Sequence, residues 1–197
     1  MVEFIVSYAT AEHHSYVDAV VEAIDQAALV KGTGIARRSS EYILDKINQG
    51  KAVIAITNYG EFAGFCYIES WEHQRYVANS GLIVVDKFRG MGLAKGIKNK
   101  AFELSREKFP EAKLFGLTTG LAVMKINSAL GYVPVTFSEL TEDTSFWKGC
   151  ESCSYYDILV RTKRHSCLCT AMIFDPAIHD IRRQAIASAT EQKLDEE

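Results

Sequence analysis

Residues 81–101 read GLIVVDKFRGMGLAKGIKNKA, and the rest of the 197-residue chain is best interpreted from this stretch. The pattern predicts an apolar strand, a glycine-rich turn and a helix that begins with lysines. Small residues let the backbone of such a turn approach a ligand closely, and the free N–H groups of the first helical turn point towards an anion. The stretch therefore predicts a binding site for a phosphate or a pyrophosphate.

Three phosphate-bearing ligands are considered for this turn. A P-loop requires G-x-x-x-x-G-K-[ST], which the chain lacks. A dinucleotide site requires G-x-G-x-x-G and an acidic end to the next strand, whereas that strand ends in Thr118-Thr119. The pattern [QR]-x-x-G-x-[GA] is met by Arg89, Gly92 and Ala94 and indicates the pyrophosphate of coenzyme A. On the motif alone, a tight turn that binds nothing stays open.

Composition and charge narrow the class of protein. The net charge is -3 and the pI is near 6.0, which argues against nucleic acid or an anionic membrane as the main partner. No apolar run approaches the ~20 residues of a membrane span, and the N-terminus lacks the layout of a signal peptide. The expected compartment is the cytoplasm, where five cysteines indicate metal binding, a reactive thiol or packing rather than disulfides.

The predicted elements follow the order β-α-α-β-β-β-α-β-α-β-β. Three consecutive strands are incompatible with a purely doubly wound sheet, so the order predicts an α/β fold with a mixed sheet and helices on both faces. Strands are predicted at 2–8, 52–57, 62–69, 76–86, 113–119, 133–137 and 155–161. Helices are predicted at 15–29, from Ser39 or Ser40 to Gly50, at 93–108, 121–130 and 181–193.

This order, with the glycine turn between the fourth strand and the third helix, resembles the GNAT superfamily of acyl-CoA N-acyltransferases. The matching pieces are GIARRSSEYILDKI, AVIAITNYGEFAGF, FRGMGLA, and LFGLTT followed by a helix and GYVPV. Within the superfamily, the chain is most similar to the acetyltransferase domain of N-acetylglutamate synthases. The resemblance implies a GNAT domain over residues 1–162, with residues 163–197 as a C-terminal helical extension packed on it.

The resemblance also implies an activity. The protein is expected to transfer an acyl group, acetyl first, from acetyl-CoA or another acyl-CoA to the α-amine of an acidic amino acid such as glutamate, as in arginine biosynthesis. Two alternatives stay open: a GNAT enzyme acting on a polyamine, a drug or a protein terminus, and a non-catalytic acyl-CoA-sensing module. The expected partner is a small amine, without nucleic acid or membrane, and a homodimer stays open.

The donor site is assigned to the fourth strand and the glycine turn. The Asn-Ser-Gly sequence at 79–81 predicts a bulge in this strand, where backbone N–H groups can polarise the thioester oxygen. The residues expected to bind the cofactor are Leu82, Val84, Arg89, Gly90, Met91, Gly92, Leu93, Ala94 and Lys95.

The residues at the expected catalytic positions differ from those that the resemblance implies. Many GNAT enzymes place a tyrosine four residues before a Gly-aromatic pair as the acid for the leaving thiolate. Here the pair is Gly131-Tyr132, and Asn127 stands at that position. Asn127 is therefore a candidate catalytic residue that can donate a hydrogen bond but cannot supply a proton efficiently. The glutamate that serves some synthases as base is also missing, so Ser80, with a water relay, and Glu69 are the candidate proton acceptors, beside His73 and Tyr76.

Arg37-Arg38-Ser39 comes directly before a predicted helix. Guanidinium groups bind carboxylates in a bidentate manner, and a helix N-terminus adds positive potential. In the family that the chain resembles, this element lies against the acceptor site. These three residues are therefore predicted to hold the substrate carboxylate, with two solvated arginines as the alternative.

Four cysteines form two close pairs, Cys150-x-x-Cys153 and Cys167-x-Cys169. Four thiolates in two such pairs can hold a structural Zn²⁺ ion. The strand predicted between the pairs opposes this arrangement because its length separates them. Four packed thiols are the alternative.

Overall fold

The computed structural model describes residues 2–30 and 34–179. The strands are β1 Phe4–Tyr8, β2 Ala52–Thr57, β3 Phe62–Trp71, β4 Tyr76–Val84, β5 Lys113–Thr118, β6 Val133–Val135 and β7 Thr170–Phe174. The helices are α1 Val17–Leu29, α2 Ser40–Asn48, α3 Leu93–Lys108, α4 Leu121–Ala129, α5 Thr144–Lys148 and α6 Tyr156–Arg161. Among these described helices, none has the length and apolar character that crossing a bilayer requires.

The seven strands form one mixed sheet in the order β1-β2-β3-β4-β5-β7-β6. β4 and β5 are parallel, and every other neighbouring pair is antiparallel. Alternate residues of β2 enter different hydrophobic clusters, Val53 with α3 on one face and Ile54 with α1 and α2 on the other. A strand buried on both faces must be apolar throughout, which explains the sequence AVIAIT. The predicted mixed sheet with helices on both faces is confirmed.

Helix α3 has the bounds that the periodicity predicts. Its buried stripe contains Leu93, Ile97, Ala101 and Leu104, spaced for one helical face. The helix ends before Pro110, which cannot continue it. In α2, Ser39 is the N-cap, and its hydroxyl oxygen accepts a hydrogen bond from the Tyr42 N–H at 3.2 Å.

The strand predicted at 155–161 is wrong. Residues 156–161 form helix α6, in which Leu159 is the buried side chain, and the last strand is β7 instead. β7 lies between β5 and β6, where both of its faces are covered, and four of its five residues are buried. The sheet therefore continues to Phe174, beyond the expected domain boundary at residue 162. The helix predicted at 181–193 lies outside the described residues.

Two irregularities of β4 shape the centre of the sheet. On the β3 side, Phe65 pairs with Ile83 and Tyr67 with Ser80, so Gly81 and Leu82 together oppose one residue. This is the bulge predicted at 79–81, and Gly81 adopts a φ of 63° there. On the β5 side, pairing ends at Ala78 and Phe115. We call the space between residues 79–84 of β4 and residues 116–118 of β5 the wedge, and the Ala78–Phe115 pair its apex.

Candidate active site

A cavity of about 930 Å³ fills the wedge and continues to the N-terminus of α2. Its donor end is lined by the open edge of β4, the glycine turn and the start of α4. Its acceptor end is lined by Arg38, Tyr42, Tyr67, Glu69 and residues of the segment 145–169. The two ends belong to one continuous space, so ligands bound at each would meet near the bulge.

The open edge of β4 can bind an extended ligand through its backbone. Beyond Ala78, the described strands pair with β4 on the β3 side only, so they leave backbone groups of the 79–84 segment without a strand partner towards the wedge. Such groups need hydrogen bonds from elsewhere, and an extended chain with amides can supply them as an added strand does. Leu82 and Val84, both predicted to bind the cofactor, line this edge.

The glycine turn leaves open space at the N-terminus of α3. Gly90 and Gly92 have φ values of 80° and 79°, and a Cβ atom added at either would meet no atom within 4 Å. Arg89 is engaged locally, because its Nε donates to the Val84 carbonyl at 3.2 Å and its Nη2 lies 2.8 Å from Asp86. The turn thus offers free N–H groups around an unobstructed site for an anion.

Most of the predicted donor residues lie around the cavity. The turn residues Arg89, Gly90, Gly92, Leu93, Ala94 and Lys95 all line it. Met91 is not among the lining residues, and its side chain is exposed.

Replacing Gly92 by alanine is expected to weaken coenzyme A binding about tenfold. A left-handed φ costs an ordinary residue ~1–2 kcal/mol, so the turn of the free variant would relax, and binding would have to restore the strained conformation. Isothermal titration calorimetry with coenzyme A measures this change. Gly96→Ala is the matched control: it lies inside α3, where an added methyl group meets Val6 at an ordinary 3.6 Å. Equal affinities of Gly92→Ala and Gly96→Ala would show that the turn does not carry the phosphate.

The three predicted catalytic residues all line the cavity, two of them at the bulge and the wedge and one at the acceptor end. Ser80 lies beside the bulge. Asn127 lies at the wedge, and its buried Oδ1 has no hydrogen-bond partner among the described residues. Glu69 lies at the acceptor end, where it pairs with Lys46 and Lys51 and accepts a hydrogen bond from Tyr42. Because Glu69 is already engaged by two ammonium groups, its surroundings favour a role as counter-ion over that of a base.

The sequence does not single out Lys98, since it is one of several lysines, with Lys95 and Lys100, near the start of the helix that follows the glycine turn. Lys98 is 2% exposed and lines the cavity. Its Nζ donates to Asn79 Oδ1 at 3.1 Å. Burial lowers the pKa of Lys98 to about 8. The signal was its place one residue after Ile97, at the border of the buried stripe.

A directed hydrogen-bond network fixes Asn79 beside Lys98. The Asn79 Nδ2 donates to Ser105 at 2.8 Å, and the Ser105 hydroxyl donates to the Ala101 carbonyl at 2.7 Å. The Tyr132 hydroxyl donates to Asn79 Oδ1 at 3.0 Å. The amide oxygen of Asn79 is therefore turned towards both Lys98 and Tyr132.

The structure separates the two arginines that were predicted to act together. Arg38 lines the cavity, and its Nε donates to the Tyr67 hydroxyl at 2.8 Å. Its Nη1 donates to the carbonyls of Arg37 and Gly149, and the described residues give it no carboxylate partner. Arg37 is exposed, and its Nε lies 3.8 Å from Asp25. Ser39 is engaged as the cap of α2.

The four paired cysteines line one wall of the acceptor end. Burial and the neighbouring thiols raise the pKa of Cys169 to about 12, and burial raises that of Cys150 to about 11. Within residues 2–30 and 34–179, no three His, Cys, Asp or Glu side chains stand where they could hold a metal ion. The described geometry therefore gives the predicted zinc site at Cys150, Cys153, Cys167 and Cys169 no support. Cys150, Cys167 and Cys169 pack against the aromatic cluster around Phe146, and the Cys167 thiol donates to the Tyr155 carbonyl at 3.9 Å.

The mixed sheet with its open wedge, and the glycine turn before α3, define the GNAT acetyltransferase fold. Rv2747 from Mycobacterium tuberculosis, solved in complex with CoA, has a TM-score of 0.64 at 15% identity, over 87% of this chain and 98% of that one. YncA of Salmonella typhimurium, a putative acetyltransferase solved with acetyl-CoA, has a TM-score of 0.60 at 12% identity, over 88% and 94% of the two chains.

N-acetylglutamate synthase from Neisseria gonorrhoeae, complexed with coenzyme A and N-acetyl-glutamate, has a TM-score of 0.62 at 14% identity. The match covers 88% of this chain and 35% of the synthase, so this chain corresponds to about a third of that protein. No family model and no curated protein sequence matches the chain. The similarity is therefore one of fold.

Proposed function

We propose that the protein is an acyl-CoA-dependent N-acyltransferase that transfers an acetyl group to the amine of a small carboxylate-bearing metabolite, such as the α-amine of glutamate. The observation that carries the proposal is the half-buried guanidinium of Arg38. It faces the same cavity as the wedge and has no carboxylate partner among the described residues.

The donor end fits acyl-CoA in three respects. The glycine turn would hold the pyrophosphate, the open edge of β4 would pair with the amides of the pantetheine arm, and Asn127 Oδ1 offers a further acceptor inside the wedge. Acyl-CoA supplies an acyl group that is activated as a thioester. The backbone N–H groups at the bulge would hold the carbonyl oxygen as its negative charge grows.

The acceptor end fits a small anion that also carries an amine. Arg38 presents free guanidinium N–H groups, and a fork of this kind binds a carboxylate in bidentate geometry. Hydrogen bonds to the Tyr67 hydroxyl and the Gly149 carbonyl fix the guanidinium of Arg38. The side chain would therefore lose little conformational entropy on binding a carboxylate. The amine must reach the thioester without its extra proton, and Ser80 stands beside the bulge, where it can pass that proton to solvent.

Release of free thiol from acetyl-CoA, followed with DTNB, tests the proposal. The amines to be compared are glutamate, aspartate and glutamine on one side, and a polyamine, an aminoglycoside and a peptide with a free N-terminus on the other. Turnover with the carboxylate-bearing amino acids is the expected result, and parallel assays with succinyl-CoA identify the acyl group. Turnover restricted to the second group would overturn the acceptor assignment.

A non-catalytic acyl-CoA-sensing module is the second candidate. The observations that favour it are the engagement of Glu69 by Lys46 and Lys51 and the presence of Asn127 where a proton donor is expected. Tight coenzyme A binding without turnover of any amine would support this candidate.

A further inference from the structure

Lys98 is a buried cation for which the described residues supply no anion. Its Nζ has one hydrogen-bond acceptor in the described structure, the neutral Asn79 Oδ1, and lies over the Tyr132 ring at 5.3 Å. Within residues 2–30 and 34–179, the titratable group that acts on it is the buried thiol of Cys66. A buried ammonium that lacks a partner is costly to the fold, so a favourable partner in the bound state would be worth more than at the surface.

The position of Lys98 at the apex identifies that partner. Asn79 and Gly116 are the first residues beyond the last β4–β5 pair. A Cβ atom placed on Gly116 would lie 4.0 Å from Lys98 Nζ and 3.9 Å from Asn127 Nδ2. The glycine turn lies beyond Val84, six residues from Ala78 along β4, which is about 20 Å. With its pyrophosphate on that turn, an acyl-CoA would point its thioester towards Lys98.

Acyl transfer creates two negative charges, one on the carbonyl oxygen and one on the sulfur. Backbone N–H groups of the open β4 edge can hold the oxygen. Near the apex, the Asn127 Nδ2 amide already donates to Met172 Sδ at 3.7 Å. Arg38 is at the other end of the cavity, bound to Tyr67. Lys98 is the cation that the described part of the cavity places at the apex.

On the basis of the proposed function, we propose that Lys98 is the proton donor and electrostatic partner of the coenzyme A sulfur. The acceptor nitrogen bonds to the carbonyl carbon, and the carbon–sulfur bond breaks with its electron pair on sulfur. Lys98 gives a proton to that sulfur and becomes a neutral amine. The acceptor ammonium gives one proton to solvent before the attack, and its nitrogen gives a second one to solvent when the carbon–nitrogen bond forms. Lys98 regains a proton from solvent when the thiol leaves, so one proton is released overall. Because burial lowers the pKa of Lys98, the ammonium gives up its proton readily.

Binding of coenzyme A and of desulfo-coenzyme A, which lacks the thiol, tests this role without turnover. Wild type is expected to prefer coenzyme A by about tenfold or more, as a charge-assisted hydrogen bond gives. Lys98→Met keeps the length of the side chain and removes the charge, so its preference is expected to vanish. Lys100→Met is the matched control on the same helix: Lys100 pairs with Glu103 outside the cavity and should leave the preference intact.

A second measurement uses wild type alone, so it does not depend on the variant folding. The preference of wild type for coenzyme A over desulfo-coenzyme A is expected to fall as the pH rises through the Lys98 pKa of about 8, where Lys98 loses the proton that it would give to the sulfur. A preference that does not change over this range, or an equal loss of affinity for both ligands in Lys98→Met, would overturn the role of Lys98 and leave the proposed function standing. Failure of wild type to bind either ligand would instead overturn the proposed function.

Discussion

Replacing Arg38 by methionine is expected to raise the KM for a carboxylate-bearing acceptor by about 100-fold or more. Truncating one member of a buried, hydrogen-bonded charge pair costs ~2–5 kcal/mol, and each 1.4 kcal/mol is tenfold. The affinity for coenzyme A should not change, because Arg38 is at the acceptor end. Initial rates at saturating acetyl-CoA give the acceptor KM, and calorimetry gives the affinity for coenzyme A.

Two further variants make the Arg38 result specific. Arg38→Lys should restore little, because an ammonium cannot reproduce a fork that is already held by Tyr67 and Gly149. Arg37→Met is the matched control, since Arg37 is exposed and pairs with Asp25 outside the cavity. An equal rise in KM for Arg37→Met and Arg38→Met would contradict the division that the structure makes between them.

Replacing Gly81 by alanine is expected to lower the free energy of unfolding by about 2–5 kcal/mol and to impair the acceptor site as well. The left-handed φ costs ~1–2 kcal/mol and overpacking a core ~1–3 kcal/mol. A Cβ atom at Gly81 would lie 2.6 Å from the Tyr67 ring, which is buried and cannot move freely. Tyr67 holds Arg38, so a displaced ring would carry the guanidinium with it.

Urea unfolding measures the stability of the Gly81 variant, and the acceptor KM reports on Arg38. Gly90→Ala is the control, because its φ of 80° brings the same backbone strain while an added Cβ atom meets no atom within 4 Å. The difference between the two variants isolates the Tyr67 contact. If both lose the same free energy, the bulge and the acceptor site are not coupled through Tyr67.

The parts of the fold that the sequence predicts well are those with strong local signals. The bounds of α3 follow from one apolar stripe and a proline, and the bulge at 79–81 follows from a glycine inside a strand. Residues 155–161 and 170–174 are both short apolar runs, for which periodicity does not separate helix from strand. Their assignment depends on which run can be buried between β5 and β6, a tertiary fact absent from the local pattern.

In the candidate site too, the residues with a local sequence signal could be predicted, and those placed by tertiary structure could not. The glycine turn is a contiguous motif and was predicted residue by residue, apart from the outward Met91. Arg37 and Arg38 are neighbours in sequence with the same chemistry, and only the path of the chain into α2 sends one outward and one into the cavity. Lys98 is harder to predict, because it stands among other lysines and only its place next to Ile97 sets it apart.

The wedge leaves unpaired strand edges in the middle of the sheet, between β4 and β5, rather than at its outer strands. Exposed strand edges invite pairing with other chains, and proteins usually block or cover them. An acyl-CoA lying along residues 79–84 would cover this edge as a removable eighth strand. By mass action, the protein would then withstand heat and aggregation best where the coenzyme is plentiful. Bound acyl-CoA would thus stabilise the folded chain as well as supply the acyl group.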